Sequence, residues 1–423
     1  MTDNLAPMQK RENTQLAKYF LGGTFSRFLL MHTCFMIFTT LPGVFINIFL
    51  LGQTEDMNVV LYYNAVFFIS GAVCMALASY VLSRFNPSVV AVVGILFYNL
   101  LYLTLILLGK NASKYFVLLG LIIGIADGFY WIAYGYLLST CTNLENRDKG
   151  IATVSFFSAV VNLLIPLLSS MIISKIGSIQ GYLVVFGLAF VVAVATGIMA
   201  VLLPRPPKTD ESIHYKDTVR LIKKERCLAF SLAGQSVKGI KEGIFTFILS
   251  ILLFNLVKNE LLIGFNTFLS AIAAIISYGI IRRYVTRENR VIYMAIAVVV
   301  LSCYNVSVLF FLNVWTIVLF SVIDAFFTGF IVNSSYSIFL DAIQVVPNAD
   351  KRRPELLVIN EALLVLGRCI GLIVMIVINL ATDSDMLWQV AGLLFLTLTQ
   401  FLAVKLNKIA NRNIRLLSIT KDT

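Results

Sequence analysis

Apolar runs of about twenty residues recur along this chain, each divided from the next by a short polar connection. A helix crossing a bilayer needs ~20 mostly apolar residues. Twelve runs meet that measure, at 28–51, 59–82, 89–109, 115–140, 151–174, 182–203, 227–255, 261–281, 291–312, 315–340, 356–380 and 386–404. The pattern predicts an all-α membrane protein with twelve transmembrane helices. Between the sixth and seventh runs lies the longest internal connection, which opens on Pro204-Arg205-Pro206-Pro207 and ends at Arg226. It divides the chain into an N-terminal tail and six-helix bundle (1–203), a linker (204–226) with a short helix near Thr218–Lys224, and a C-terminal six-helix bundle and tail (227–423).

Composition removes the alternatives. The 423 residues are 59% hydrophobic and 13% charged, with mean hydropathy +0.88. Soluble domains run at ~45–50% apolar and ~25% charged. The runs are continuous rather than alternating, which excludes the ~10-residue strands of a membrane barrel. The net charge of +11 reads as topology rather than nucleic-acid binding, because the cations lie in the short connections. With both termini placed in the cytoplasm, the inner segments hold 26 Lys and Arg and the outer loops 4. The expected location is the cell membrane. Residues 1–27 contain Asp3 and no small-residue cleavage site, so a cleaved leader is not expected. The six cysteines are scattered without a CxxC, so neither a disulfide framework nor a metal site is predicted, and no cofactor.

The two halves echo each other. Pro42-Gly43-Val44-Phe45 aligns with Glu242-Gly243-Ile244-Phe245 at an offset of 200, and Ile125-Ala126-Asp127-Gly128-Phe129 with Val322-Ile323-Asp324-Ala325-Phe326 at an offset of 197. Arg84 after the second span matches Arg282 and Arg283 after the eighth. An even number of spans per copy gives both copies the same orientation, so the bundles are related by an axis along the membrane normal. Six plus six spans, a basic central connection and both ends inside resemble the major facilitator superfamily over essentially the whole chain. More narrowly, Gly128-Phe129-Tyr130-Trp131, Asn146-Arg147-Asp148, Gly239-Ile240-Lys241-Glu242-Gly243 with Phe247, and Asn360-Glu361 followed by Gly367-Arg368 resemble a little-characterised branch of that superfamily in Gram-positive bacteria. The superfamily's loop motif between spans 2 and 3 is degraded to SYVLSRFNPS, which keeps Arg84 but has neither the Asp nor the following Gly-Arg. The fifth-span motif G-x-x-x-G-P is met only by Pro166, with Val161 and Ile165 at the glycine positions.

Seven ionisable residues fall well inside the spans: Asp127, Lys238, Lys241, Glu242, Asp324, Glu361 and Arg368. Each costs at least ~2.5 kcal/mol at mid-bilayer on insertion scales, so each needs a partner or a task. At 100° per residue, Lys238, Lys241 and Glu242 fit one stripe about 100° wide, and Glu361 and Arg368 lie about 20° off a common line. Asp127, Tyr130, Trp131 and Tyr134 share a face by their spacings of 3, 4 and 7. The resemblance implies that spans 1, 4, 7 and 10 line a central cavity and that span 11 lies between the halves. Two readings follow. Lys238–Glu242 and Glu361–Arg368 are structural ion pairs, or a carboxylate among the seven takes up a proton or substrate. Burial disfavours a charged carboxylate and a nearby cation favours it, so moving the cation would load and release a proton. Asp127 has no cation within a turn on its own helix and is the first candidate; Asp324 is the second. The rings beside Asp127 are packing, or a cage for an organic cation or amphiphile; Lys238 and Lys241 point instead to an anionic group. His32, near the cytoplasmic end of the first span, is a hydrogen-bonded packing residue or a proton shuttle, with packing favoured.

The expected function is secondary active transport by alternating access, coupled to protons, of a small organic solute or amphiphile, with efflux favoured over uptake. A monomer is implied by the resemblance alone. The alternatives are a flippase for a lipid-linked precursor, or a non-transporting scaffold or regulator of an envelope-building enzyme. No P-loop is present. Two histidines, His32 and His214, without a paired motif give no basis for an enzyme.

Overall fold

The computed structural model describes residues 23–141, 147–203, 214–347, 349, 352–382 and 386–422. The tail 1–22, the first part of the linker (204–213) and Asn146 of the Asn146-Arg147-Asp148 triplet lie outside the described residues. Among the described residues every regular element is helical. In the first half these are α1 (Thr24–Thr40), α2 (Gly43–Thr54), α3 (Met57–Arg84), α4 (Pro87–Leu108), α5 (Phe116–Cys141), α6 (Arg147–Ile176) and α7 (Ser178–Val201). The linker carries α8 (Tyr215–Lys224). The second half comprises α9 (Arg226–Phe245), α10 (Ile248–Val257), α11 (Glu260–Tyr284), α12 (Arg290–Phe310), α13 (Val314–Val345), α14 (Arg353–Ala381), α15 (Met386–Leu398) and α16 (Gln400–Asp422).

Among the described residues eleven stretches are long and apolar enough to cross a bilayer. One of them, Pro87–Leu138, has 52 residues. As a single helix it would reach about 78 Å, far beyond the ~30 Å of hydrocarbon. It folds back at a 3-10 turn, Gly109–Tyr115, which starts at positive φ on Gly109, and α4 then packs along α5. Twelve crossings result. The first is broken at Pro42, which lacks an amide hydrogen, and the seventh at Thr246–Phe247, about one turn beyond Glu242, the residue that aligns with Pro42. Pro166 stays within α6. Residues 405 onward, expected as a tail, continue as α16 to Asp422. Their cations recur three to four residues apart, at Lys405, Lys408, Arg412 and Arg415, so one helical face stays polar while Ala403, Ala410 and Ile414 pack inward.

Two ends are distinguished by the chain: the linker end, near α8, and the far end, where α2, α10 and the 3-10 turn lie. At the far end polar side chains cap helices: Asp56 accepts from Asn58 N, Asn259 from Leu261 N and Leu262 N, and Asn313 forms a capping box with Thr316. The halves also meet there. Asn379 donates to Asn58 (3.1 Å), and Tyr182 donates to Glu260 (3.0 Å). The apolar core follows the same division. One core joins the first half to the far-end side chains of the second, such as Phe247, Ile251, Phe320, Leu372 and Met375. A separate core, including Leu228, Leu232, Phe339, Ala342 and Ile414, fills the linker end of the second half.

Helix contacts inside the bilayer rest on glycine. Lipid is as apolar as leucine, so association depends on close backbone approach. On α5, Gly120, Gly124 and Gly128 lie every fourth residue against α3. A Cβ at Gly120 would stand 2.8 Å from Tyr63 O, one at Gly128 2.6 Å from Met75 N, and one at Gly124 would collide with Ser70 Oγ. On α9 and α14 two such motifs interlock. A Cβ at Gly239 would meet Leu364 O, one at Gly243 would stand 2.8 Å from Arg368 Cα, and those at Gly367 and Gly371 would collide with the carbonyls of Ser236 and Ile240. Overpacking of this kind costs ~1–3 kcal/mol or more where backbone cannot retreat. Gly367→Ala is therefore expected to lower the thermal midpoint in detergent by several degrees, whereas Gly135→Ala, with open space at the Cβ position, leaves it unchanged. Equal midpoints for the two variants would contradict this account of the seam.

Candidate functional site

The seam between α9 and α14 positions most of the intramembrane charge. On α14 the exposed residues Leu366, Ile370, Ile373, Val377 and Leu380 recur at spacings of four and three and form the lipid face. Arg368 points about 200° from Leu366 and Glu361 about 140°, so both face inward. With the backbones held together by glycine, Arg368 reaches across. Its Nη2 donates to Glu242 Oε1 at 2.6 Å and its Nη1 to Glu361 Oε1 at 3.1 Å. Lys238 Nζ lies 3.3 Å from the other oxygen of Glu242. The guanidinium also covers the Phe68 ring of α3, 5.4 Å from its centroid, which carries the network to the first half.

Lys241 forms a second unit. It donates to Asp324 of α13 and to Thr328 Oγ1 (2.9 Å), and lies 4.2 Å from the centroid of Phe245. Thr328 in turn donates to Asp324 (3.2 Å). Both Lys238 and Lys241 are buried. Six of the seven intramembrane charges thus form two neutral or near-neutral groups in the second half: Lys238, Arg368, Glu242 and Glu361 in one, Lys241 and Asp324 in the other. They occupy the level at which the two apolar cores of this half part. Phe247 and Leu372 lie beyond them toward the far end, Leu232 and Leu356 toward the linker end.

Asp127 stands apart. Among the described residues no cation lies within ion-pair distance of it. Its Oδ1 accepts from the phenol of Tyr98 on α4 and from Trp131 Nε1 (3.0 Å). Tyr130 is fully buried, stacked on Phe35 with centroids 3.4 Å apart, and its hydroxyl shares a hydrogen bond with His32 Nδ1 (2.8 Å). His32 is enclosed by Phe28, Phe35, Tyr130 and Tyr134. Trp131 and Tyr134 meet edge to face at 5.3 Å, and Trp131 keeps 39% of its surface uncovered. Thus α5 holds Asp127, Tyr130, Trp131 and Tyr134 in one aromatic neighbourhood with α1 and α4. Tyr98, Phe68 and Thr328 belong to these groups and went unnoticed in the sequence. Each is an ordinary member of an apolar run, and each meets its partner from another helix or a separate turn. The arrangement contains no paired nucleophile and base, and no group of three metal-binding side chains occurs among the described residues. What it offers is exchange of partners among carboxylates and cations.

The sequence profile of the Major Facilitator Superfamily matches residues 23–371, and the chain belongs to that family. Two bacilli hold curated relatives. One is the uncharacterized protein YqgE of Bacillus subtilis, 22% identical over 345 residues, covering 82% of this chain and 80% of that protein. The other is an uncharacterized protein from the sodM 3' region of Geobacillus stearothermophilus, 26% identical over 147 residues, 35% of this chain and 69% of that protein. Among solved structures, the nucleoside transporter NupG superposes with TM-score 0.67 at 12% identity, covering 92% of this chain and 99% of that one. A bacterial homologue of the human lysosomal transporter Spinster, inward-facing and unoccupied, gives 0.67 at 11%, covering 93% and 97%. The fucose:proton symporter FucP of E. coli gives 0.63 at 10%, covering 90% and 98%. At these identities the likeness concerns the fold. Family and fold together support secondary transport as the class of activity for this multi-pass membrane protein.

The ion pairs make a stability prediction. Removing one partner of a buried pair costs ~3–5 kcal/mol, because the other charge is stranded, while removing both is far milder. Lys241→Met and Asp324→Asn should each destabilise the protein by about that amount, and the double variant by clearly less than their sum. Chemical denaturation of the purified protein in detergent measures all three; additive losses would mean that the two residues do not depend on each other.

Proposed function

We propose that this protein is a proton-coupled secondary transporter of the cell membrane in which Asp127 is the proton-binding carboxylate. The observation that carries the reading is the asymmetry between repeat mates: Asp324 is paired with Lys241, whereas Asp127 is held by Tyr98 and Trp131 and pairs with no cation among the described residues. An unpaired carboxylate in a membrane interior is the group for which gaining a proton relieves the greatest desolvation cost. Arg368 supplies the coupling. It is shared between Glu242 and Glu361 in the present state, and it reaches the first half at the Phe68 ring. A rocking of the 1–203 bundle against the 227–423 bundle changes the distance between Arg368 and Asp127, and with it the affinity of Asp127 for a proton.

The linker end is taken as cytoplasmic, from the excess of Lys and Arg in its connections. Far-end contacts between the halves then make the present state one that is closed to the outside. Trp131 and Tyr134 beside Asp127 supply apolar surface for a small organic solute or amphiphile, and export with proton import is the favoured direction. A monomer suffices for this cycle.

Two measurements test the reading. Purified protein in liposomes with an imposed pH gradient, screened against pooled metabolites, drugs and lipid-linked precursors, should show substrate-dependent proton uptake that Asp127→Asn loses; undiminished uptake in Asp127→Asn would remove this residue from the coupling role. The second needs no substrate. The chain has three tryptophans, and Trp131 alone donates to Asp127 among them. In Trp315→Phe/Trp388→Phe protein, the emission of Trp131 should change with pH in a single step that Asp127→Asn abolishes. A pH-independent emission, or a step that survives the substitution, would count against proton binding at Asp127.

A further inference from the structure

The linker helix α8 is tied to both halves at the end where they do not share a core. On one side the hydroxyl of Tyr215 lies 3.0 Å from Ser79 Oγ of α3, and its ring lies 6.1 Å from that of Tyr80. On the other side three contacts reach the start of α14. Asp217 pairs with Arg352 (3.6 Å), Arg352 donates to the carbonyl of His214 (3.3 Å), and the backbone amide of His214 donates to the buried carboxylate of Glu355 (3.2 Å). Thr218 is fully buried, and Leu221 and Ile222 pack on the linker-end core of the second half. Burial raises the Tyr215 phenol above its ordinary pKa, so it stays neutral and bonded to Ser79 at working pH. In sequence Ser79 and Arg352 are far apart; α8 is the element that spans from one to the other.

From these contacts we infer that α8 is a conformational strap: it stands between the linker ends of α3 and α14, holds them apart, and must release Ser79 before the linker end can close. This rests on the alternating-access reading above. A two-state movement that closes the linker end brings the end of α3 toward the start of α14, into the volume that α8 fills. The contacts on the α14 side include a buried carboxylate and a backbone amide, whereas those described on the α3 side include a hydroxyl pair and a ring contact. The strap therefore parts from α3 and stays with the second half. An exposed ion pair such as Asp217–Arg352 adds little by itself; the combination sets the bias.

The test uses the full-length protein with its six cysteines replaced and spin labels placed at Val89→Cys and Tyr284→Cys. Both sites are exposed, at the linker ends of α4 and α11 in opposite halves. Double electron–electron resonance then reads the separation of the halves. The unstrapped variants are Tyr215→Phe with Asp217→Asn, and separately Arg352→Gln. Lys223→Gln, an exposed residue of α8, is the control. Each is first checked for a monodisperse profile and an unchanged thermal midpoint. The expected result is a long distance in the parent and control, and a shorter population in the unstrapped variants, with the closed-to-open ratio raised about tenfold, equivalent to ~1.4 kcal/mol. If parent and variants show the same mixture of two distances, the strap is overturned and the alternating movement stands. If a single distance persists in every protein at every pH tested, both the strap and the alternating movement fall.

Discussion

A charge inside a bilayer has to be satisfied by protein, and a side chain can satisfy it only if the helices that carry the partners come close enough. In this fold that condition is met by the contact of α9 with α14. Gly239, Gly243, Gly367 and Gly371 bring the two backbones together. At that separation Arg368 on one helix grips Glu242 on the other while still holding Glu361 on its own. Without the glycines the guanidinium would have to reach past side chains, and Glu242 would be left with Lys238 alone. The steric detail therefore comes first and the electrostatics follow from it.

The same contact explains why the two halves differ although they descend from one pattern. In the second half the charged layer interrupts the apolar interior and leaves separate cores on either side. In the first half the interior is continuous, and its mid-membrane charge is a lone carboxylate among rings. Positive and negative groups are thus concentrated on one side of the molecule, while the group with unused binding capacity lies on the other. Arg368 faces both. On the proposed reading, such a division of labour between repeats would make one half a fixed electrostatic frame and the other the responsive part.

Most of the fold was legible in the chain, because membrane insertion writes its demand as uninterrupted apolar length. The twelve crossings, the break at Pro42 and the linker helix all follow from local sequence. The fold-back at Gly109–Tyr115 was visible as Lys110 and Lys114 between two apolar runs. At the C-terminus the expected tail is helix instead, because Lys405 to Arg415 are spaced so that a helix keeps them on one side. The site was legible in its members but not in its pairings. Lys238 and Glu242 are one turn apart and could be matched on paper. Arg368 and Glu242 are 126 positions apart, and nothing local announces their contact. Tyr98 was hidden for another reason, since a tyrosine in an apolar run reads as packing until its hydroxyl is found on a carboxylate. Gly239, Gly243 and Gly367 stand in the family likeness and Gly371 does not, and the steric meaning of all four appears only when the facing backbone is known.

The interlocked glycines also limit how this architecture diversifies. A backbone-to-backbone contact has no substitute of different size, so drift along α9 and α14 is confined to positions off the seam. The ring-lined side of α1, α4 and α5 is held by side chains, and side chains exchange volume for volume. On the proposed reading, descendants of such a chain that came to handle other cargo would accumulate their changes around Asp127 and inherit the Arg368 side nearly intact.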